Sequence, residues 1–564
     1  MNEKLQIVFG LLGGLAIFLY GMNMMSECLQ KAAGEKMKTI LALLTKNPIL
    51  GVLAGALTTA VLQSSSATTV MAIGFVSAGL MNLPQAISII LGANIGTTMT
   101  AQIIAFKLSD YIYIIIFIGF IISFIVKSER AKSIGQTIFA FGLLFLGIET
   151  MGSVMKPLAS SPFFVDLIAK VADMPVLGVV VGTMMTLVVQ SSSATIAVLQ
   201  NFASQAGPDG VTSILGLTGA IPILLGDNIG TTITALLASI GQTKDAKRTA
   251  VAHCIFNISG SFLFIWFVKP YATLIRFISP KGPEVEVISR QIANAHTCFN
   301  ITMTLIWVCL IGVMVKIVMF LIPDGRKTES DPFETLYLDE NVKNQPAAAL
   351  QLVAKEILHL SDQVKKVLHD TVIVVKENQM QGVDKIQEES AKVTKLTDKI
   401  TDYLAGLFSS GLLTEQQASQ TAGLMYVLGD VDRIGNLSAG IALSMKEKET
   451  NQYKYSQEAM DELAKCLKTL EKMFDSATKA LRGDTTVELE KLMKRKDKIV
   501  NLDIMMRKSH IQRVNKGKCK ASLTTFTNIL HLIDRMGNSC INLADAATNE
   551  VALKYFLPKD EMTM

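Results

Sequence analysis

Over residues 1–322 long apolar runs alternate with short polar breaks; beyond residue 347 the apolar positions recur at helical spacing instead. Residues 4–25 form a first apolar segment, followed by a polar stretch holding Lys31, Lys36, Lys38 and Lys46. Residues 48–79 are apolar but broken at Gln63-Ser64-Ser65-Ser66. Each piece is shorter than the roughly 20 residues a helix needs to cross a bilayer, so a re-entrant hairpin is expected. Segments 84–106, 111–126 and 134–155 follow, then a second broken segment, 175–203, carrying Gln190-Ser191-Ser192-Ser193. The last spans fall near 212–240, 248–270 and 291–322. No small-residue cleavage site follows a basic start at the N-terminus, so its first segment reads as a retained span.

The second broken segment repeats the first. Gln-Ser-Ser-Ser-Ala-Thr occupies 63–68 and again 190–195, and Pro48 is echoed by Pro175 at the same offset of 127. Gly21 matches Gly147 at 126. Gly92-Ala93-Asn94-Ile95-Gly96-Thr97-Thr98 matches Gly226-Asp227-Asn228-Ile229-Gly230-Thr231-Thr232 at 134, the seven extra residues fitting a longer loop around Gly207-Pro208-Asp209-Gly210. Markers in one order indicate a duplicated unit, with repeat one at about 1–127, repeat two at about 128–260 and extra helices to 322. Three full crossings separate equivalent points, so the second unit is expected to be inverted. Lysines and arginines at 31–46, at Lys127, Arg130 and Lys132, and at Lys244, Lys247 and Arg248 mark the cytoplasmic side. The loop 269–290, with Lys269, Arg276, Lys281 and Arg290, runs against that pattern. The N-terminus is then outside and the C-terminal region cytoplasmic.

Residues 323–346 read as a polar linker. Beyond it six amphipathic helices are predicted near 347–379, 383–408, 414–446, 453–482, 486–515 and 518–550. They also repeat. Asp398-Lys399-Ile400 returns as Asp497-Lys498-Ile499, and Asp432-Arg433-Ile434-Gly435-Asn436 as Asp534-Arg535-Met536-Gly537-Asn538. Two three-helix bundles in tandem are expected, so the whole chain is all-α: a polytopic membrane domain followed by a helical domain at 347–564.

Composition narrows the class. Only 18% of the 564 residues are charged, against about 25% in soluble domains, and mean hydropathy is +0.39. A net charge of +5 is no nucleic-acid footprint. The seven cysteines form no Cys-x-x-Cys pair, which favours reduced thiols over a metal or disulfide framework. No Walker A sequence or Ser-His-Asp grouping is present, so an enzyme is not expected.

Broken apolar segments at matching positions of two halves point to a secondary transporter's binding site. Where two hairpin tips meet, helix N-termini offer partial positive charge without lysine or arginine. Gln63, Ser64, Ser65, Ser66, Gln190, Ser191, Ser192 and Ser193 add donors suited to an oxyanion and acceptors suited to Na⁺. Dipoles alone hold a multiply charged anion weakly, so a co-bound cation is expected to complete the charge balance. For that cation the candidates are Thr68, Asn94, Thr97, Thr98, Thr195, Asp227, Asn228, Thr231 and Thr232; Asp227 is a rare acid in a membrane segment. The competing readings are helix packing for the serines and a tight glycine hairpin for Gly-x-Asn-Ile-Gly-Thr-Thr. His253 to Asn257 and His296 to Asn300 share His-x-x-Phe-Asn, expected to be hydrogen-bonded struts between helices.

With its paired Gln-Ser-Ser-Ser motifs, Gly-x-Asn-Ile-Gly-Thr-Thr stretches and Ala252-His253-Cys254-Ile255-Phe256-Asn257, the region 1–322 resembles the bacterial type II sodium–phosphate cotransporters. The resemblance implies sodium-coupled transport of inorganic phosphate by alternating access, with Na⁺ as coupling ion and no organic cofactor. It implies a multi-pass protein of the bacterial plasma membrane. It also assigns phosphate and sodium contact to the two Gln-Ser-Ser-Ser motifs. Animal members carry His-x-x-Phe-Asn after each Gly-x-Asn-Ile-Gly stretch, whereas both copies here lie later. A phosphate exporter and a membrane-anchored phosphate sensor are the alternatives. Residues 347–564 are similar to PhoU, on Asp430 to Asn436 and Ile533 to Asn538. That likeness implies a regulatory module and makes Asp398, Asp432, Asp497 and Asp534 metal candidates, set against solvated or helix-pairing acids. Partner expectations are phosphate, Na⁺, the lipid bilayer, a homodimer and cytosolic phosphate-regulation proteins, with no nucleic acid.

Overall fold

The computed structural model describes residues 3–33, 47–106, 108–126, 128–159, 174–207, 209–323, 333–378, 380–453, 455–483, 489–519 and 523–548. Lys36, Lys38, Lys46, Lys127 and Pro208 lie outside them. Among the described residues the fold is helical, with one isolated bridge between Ala206 and Ser213. The chain divides into two compact units, Met1–Arg326 and Lys327–Met564.

The first unit opens with α1 (Glu3–Ala33). The first broken segment forms α2 (Pro48–Leu62) and α3 (Ser65–Ser77), followed by α4 (Leu83–Ile104), α5 (Ile112–Ile125) and α6 (Glu129–Ala159). The second broken segment forms α7 (Pro175–Val189) and α8 (Ser192–Ala203). Then come α9 (Gly216–Gly230), α10 (Thr232–Ala238), α11 (Lys244–Ile265), α12 (Val268–Ile278), α13 (Glu284–Cys309) and α14 (Ile311–Leu321). Six stretches among the described residues are long and apolar enough to cross a membrane: Leu5–Lys31, Leu83–Ile104, Ala131–Met155, Gly216–Ala238, Lys244–Ile265 and Glu284–Cys309. Phe124, Val188, Trp266, Phe277 and Phe320 stand exposed on this unit, the surface expected of helices solvated by lipid.

The expected loop at 269–290 is largely helical. Lys269 and Arg276 lie on α12, and Arg290 lies on α13, where its guanidinium donates to the Gln102 side chain at 2.6 Å and covers the Phe106 ring. Three of its four basic residues are therefore helix-borne, and Lys281 alone lies in the break between α12 and α13.

Glycines set how closely the helices approach. A Cβ at Gly92 would overlap the Val52 carbonyl, and one at Gly226 the Val179 carbonyl. Gly55 and Gly182 meet the backbones of Ile89 and Ile223 in the same way. So α2 lies on α4, and α7 on α9, backbone against backbone, as small residues permit in membranes. The tight-hairpin reading of Gly-x-Asn-Ile-Gly-Thr-Thr is therefore corrected: the first copy runs inside α4, the second closes α9 and passes through Thr231 into α10, and their glycines serve packing. Gly21 and Gly147 likewise let α1 and α6 approach.

The second unit holds α15 (Pro346–Glu377), α16 (Val383–Ser409), α17 (Glu415–Thr450), α18 (Gln457–Leu481), α19 (Leu489–Asn515) and α20 (Leu523–Thr548). Part of the expected linker is built into it. The fully buried Glu356 carboxylate accepts backbone N–H groups from Leu336, Tyr337 and Leu338 at 3.0, 2.7 and 3.3 Å, and Tyr403 donates to the Asp339 carbonyl at 2.8 Å. A buried carboxylate needs donors, and this strand of polar chain supplies them.

Candidate functional site

Each broken segment reverses at a glutamine. Gln63 and Gln190 adopt left-handed backbone, with φ of 52° and 54°. That region is rarely populated by residues with a Cβ. It ends α2 and α7 abruptly, and the next residue caps a new helix. Ser64 Oγ accepts the Ala67 N–H at 3.2 Å, and Ser191 Oγ the Ala194 N–H at 3.3 Å. The amides of Ser65 and Ser66, and of Ser192 and Ser193, therefore open α3 and α8 without helical carbonyl partners.

These two N-termini meet. All eight residues of the paired motifs line one cavity of about 300 Å³, together with Leu19, Met22, Asn23 and Ser26 of α1, Leu62 and Val189. Among the described residues no charged side chain lines it. Each helix N-terminus carries roughly half a positive charge, and hydroxyls and amides complete a donor-rich wall. This is a cradle for an anion small enough to be enclosed. Asn23 and Ser26 were missed by sequence reasoning; their only signal was polarity within the apolar segment 4–25. Ser26 Oγ donates to the Leu62 carbonyl at 2.5 Å and so ties α1 to the first turn.

None of the nine cation candidates lines this cavity. Asn94 and Asn228 are committed elsewhere: their side-chain oxygens hydrogen-bond His253 Nε2 at 3.3 Å and His296 Nε2 at 3.1 Å. The two His-x-x-Phe-Asn elements thus brace α11 onto α4 and α13 onto α9. Thr98 donates to the Ile95 carbonyl of its own helix, Thr232 across the α9–α10 junction to the Ile229 carbonyl, and Thr231 to the Asp227 carbonyl. Thr97 reaches Ser65 Oγ at 3.2 Å.

Behind each turn two threonine hydroxyls pair, Thr59 with Thr68 at 2.8 Å and Thr186 with Thr195 at 3.1 Å. In the second pair Thr186 also donates to Asp227 Oδ1 at 2.6 Å. Asp227 is fully buried, and its Oδ2 has no hydrogen-bond partner among the described residues. Ala93 occupies the corresponding place beside the first pair.

Thr100 and Thr234, also absent from sequence reasoning, secure the first turn. Thr100 donates to Gln63 Oε1 at 2.9 Å and Thr234 to Ser66 Oγ at 3.0 Å. The offset of 134 that aligns the Gly-x-Asn-Ile-Gly-Thr-Thr stretches pairs these two threonines as well.

In the second unit no group of three His, Cys, Asp or Glu among the described residues could hold a metal ion. Lys496 Nζ bonds both the Asp534 carboxylate, at 2.5 Å, and its carbonyl, at 2.7 Å. Asp432 sits among Thr394, Thr397 and Asn436, while Asp398 and Asp497 are exposed. Asp534 is thus paired by a lysine, and Asp432 is held by neutral side chains with Asp398 near enough to act on it electrostatically.

A polytopic helical membrane protein with two broken helices around an uncharged, donor-lined cavity is the class these features define. The chain belongs to the Na⁺/Pi-cotransporter family, whose model matches residues 17–153 and 154–279. It is 34% identical to the uncharacterized protein YqeW of Bacillus subtilis over 266 residues, 47% of this chain and 84% of that protein. It is 24% identical over 400 residues to the putative inorganic phosphate export protein YjbB of Salmonella typhimurium, 71% of this chain and 69% of that one. The sodium-dependent phosphate transport protein 2A of Rattus norvegicus is 36% identical over 107 residues, 19% of this chain. No solved structure matches.

Proposed function

We propose that this protein carries inorganic phosphate across the membrane together with Na⁺, by alternating access of the cavity between the two Gln-Ser-Ser-Ser turns. The observation that carries this reading is the convergence of all eight motif residues on one cavity at two helix N-termini. Serine hydroxyls, glutamine amides and free backbone N–H groups satisfy phosphate oxygens without a fixed positive side chain. A tightly bound multivalent anion would need a stronger counter-charge, and Na⁺ supplies it transiently. Thr186, Thr195 and the carboxylate of Asp227 form the oxygen cluster best suited to that ion, ahead of Asn94 and Asn228, whose oxygens face histidines.

The repeats are inverted on this reading, with the N-terminus outside. The second unit is a cytoplasmic PhoU-like regulator, supported by its recurring Asp-Arg-x-Gly-Asn elements. Net export is the second reading, favoured by the relatives named as putative phosphate exporters over most of their length. Radiolabelled phosphate flux in proteoliposomes under an imposed sodium gradient tests both. Uptake following the gradient is expected. Flux indifferent to Na⁺ would refute the coupling, and efflux alone would favour the exporter.

A further inference from the structure

Helix α18 separates its charges. Three of its five acids are paired: Asp475 with Lys365 and Lys479, Glu471 with His369, and Glu462 with Arg513. Lys465, Lys468 and Lys472 are spaced by three and four, so they form one stripe along the same helix. Lys376 from the end of α15 and Lys498 from α19 face the same space. The five lysines line a cavity of about 430 Å³, with Thr469 and Asp461 on its wall. None of the five makes an ion pair among the described residues, and Asp461 is the one carboxylate present, already accepting from Gln457 at 3.0 Å.

Like charges at helical spacing repel, and Glu462, Glu471 and Asp475 of α18 are engaged elsewhere. Five ammonium groups in a recess are relieved when an anion displaces their water and counter-ions. Lysine binds phosphate as a point charge. One phosphate group engages two or three ammoniums, whereas five around a volume in the range of small-molecule clefts suit several phosphates in a row.

We propose that Lys376, Lys465, Lys468, Lys472 and Lys498 form a binding site for a small polyphosphorylated anion, such as a nucleoside triphosphate or a linear tripolyphosphate. The C-terminal unit then answers to a ligand of its own, distinct from whatever occupies the cavity between the Gln-Ser-Ser-Ser turns.

The test uses the full chain in phosphatidylcholine nanodiscs and magnesium-free radiolabelled ATP at physiological salt. Saturable binding is expected, displaced by tripolyphosphate at concentrations where inorganic phosphate does not compete. Lys468→Gln with Lys472→Gln should weaken it at least tenfold without changing the melting temperature. Lys395→Gln with Lys399→Gln, exposed lysines elsewhere in the unit, should leave it unchanged. Non-saturable binding, or equal weakening by both doubles, would overturn the proposal. So would inert ATP combined with a lysine-dependent affinity for phosphatidylglycerol nanodiscs, which would assign the lysines to the membrane.

Discussion

The two broken segments share a backbone and differ in how their side chains are employed. Both reverse at a left-handed glutamine, both cap the next helix with the first serine, and both set a threonine pair behind the turn. In the first, nearly every polar side chain is engaged. Gln63 is buried between Thr100 and the Ala60 carbonyl, Ser65 meets Thr97, and Ser66 meets Thr234. In the second, the Gln190 amide and the hydroxyls of Ser192 and Ser193 have no hydrogen-bond partner among the described residues, and Gln190 is exposed. The first turn is a fixed wall; the second offers open donors. Duplication kept the shape and divided the work.

The largest expected effect follows from those open donors. Gln190→Ala or Ser192→Ala should reduce phosphate flux by about 10- to 100-fold, the range for losing one hydrogen bond to a charged group at about 1.5–3 kcal/mol. Expression and melting should stay at wild-type levels. Wild-type flux in either folded variant would remove the distinction between the turns.

Asp227→Ala comes next, because it gives the second half the residue of the first. Sodium dependence of flux should flatten while phosphate binding to detergent-purified protein persists. An unchanged sodium curve would mean that the acid merely braces Thr186.

Thr100→Val and Thr234→Val should cost less. Each deletes one neutral hydrogen bond, worth about 0.5–1.5 kcal/mol. A few-fold rise in the phosphate KM is expected, from a first turn no longer held in place. If both variants behaved as Ser192→Ala does, the wall would itself be contacting substrate.

The smallest effect tests the same theme in the second unit, where Lys496 balances Asp534 and no cation among the described residues balances Asp432. Burial raises the Asp432 pKa above its ordinary value, more than the hydrogen bonds from Thr397, Thr394 and Asn436 lower it. A carboxyl whose folded pKa is raised disfavours the fold once ionised, and the penalty is relieved as pH falls through that pKa. Asp432→Asn should therefore raise the melting temperature slightly at pH 7, and the gain should vanish toward pH 4. A loss at pH 7 would show that the charged form is the one the surrounding hydroxyls stabilise.

Much of this was legible in the chain. The repeated Gln-Ser-Ser-Ser fixed where the helices break, because polar residues inside an apolar run must line a cavity or be buried in protein. The four-residue spacing of His253 and Asn257 announced a strut, but not its partner, since a contact across 159 residues leaves no periodic trace. Thr100 and Thr234 were readable in principle at the repeat offset. Their role was not, because hydroxyls inside helices more often bond their own backbone. The glycines of Gly-x-Asn-Ile-Gly-Thr-Thr misled, since close helix approach and tight turns ask for the same residue. Glu356 lacked any local signal, as its donors come from a segment with no pattern of its own.

The hydroxyl that meets Ser66 comes from Thr234, 168 residues later and in the other copy. The first copy is thus incomplete as a free-standing piece. A gene cut between them would yield a first fragment lacking its own clasp until the second joined it, and an unduplicated forerunner would have had to borrow that clasp from another polypeptide.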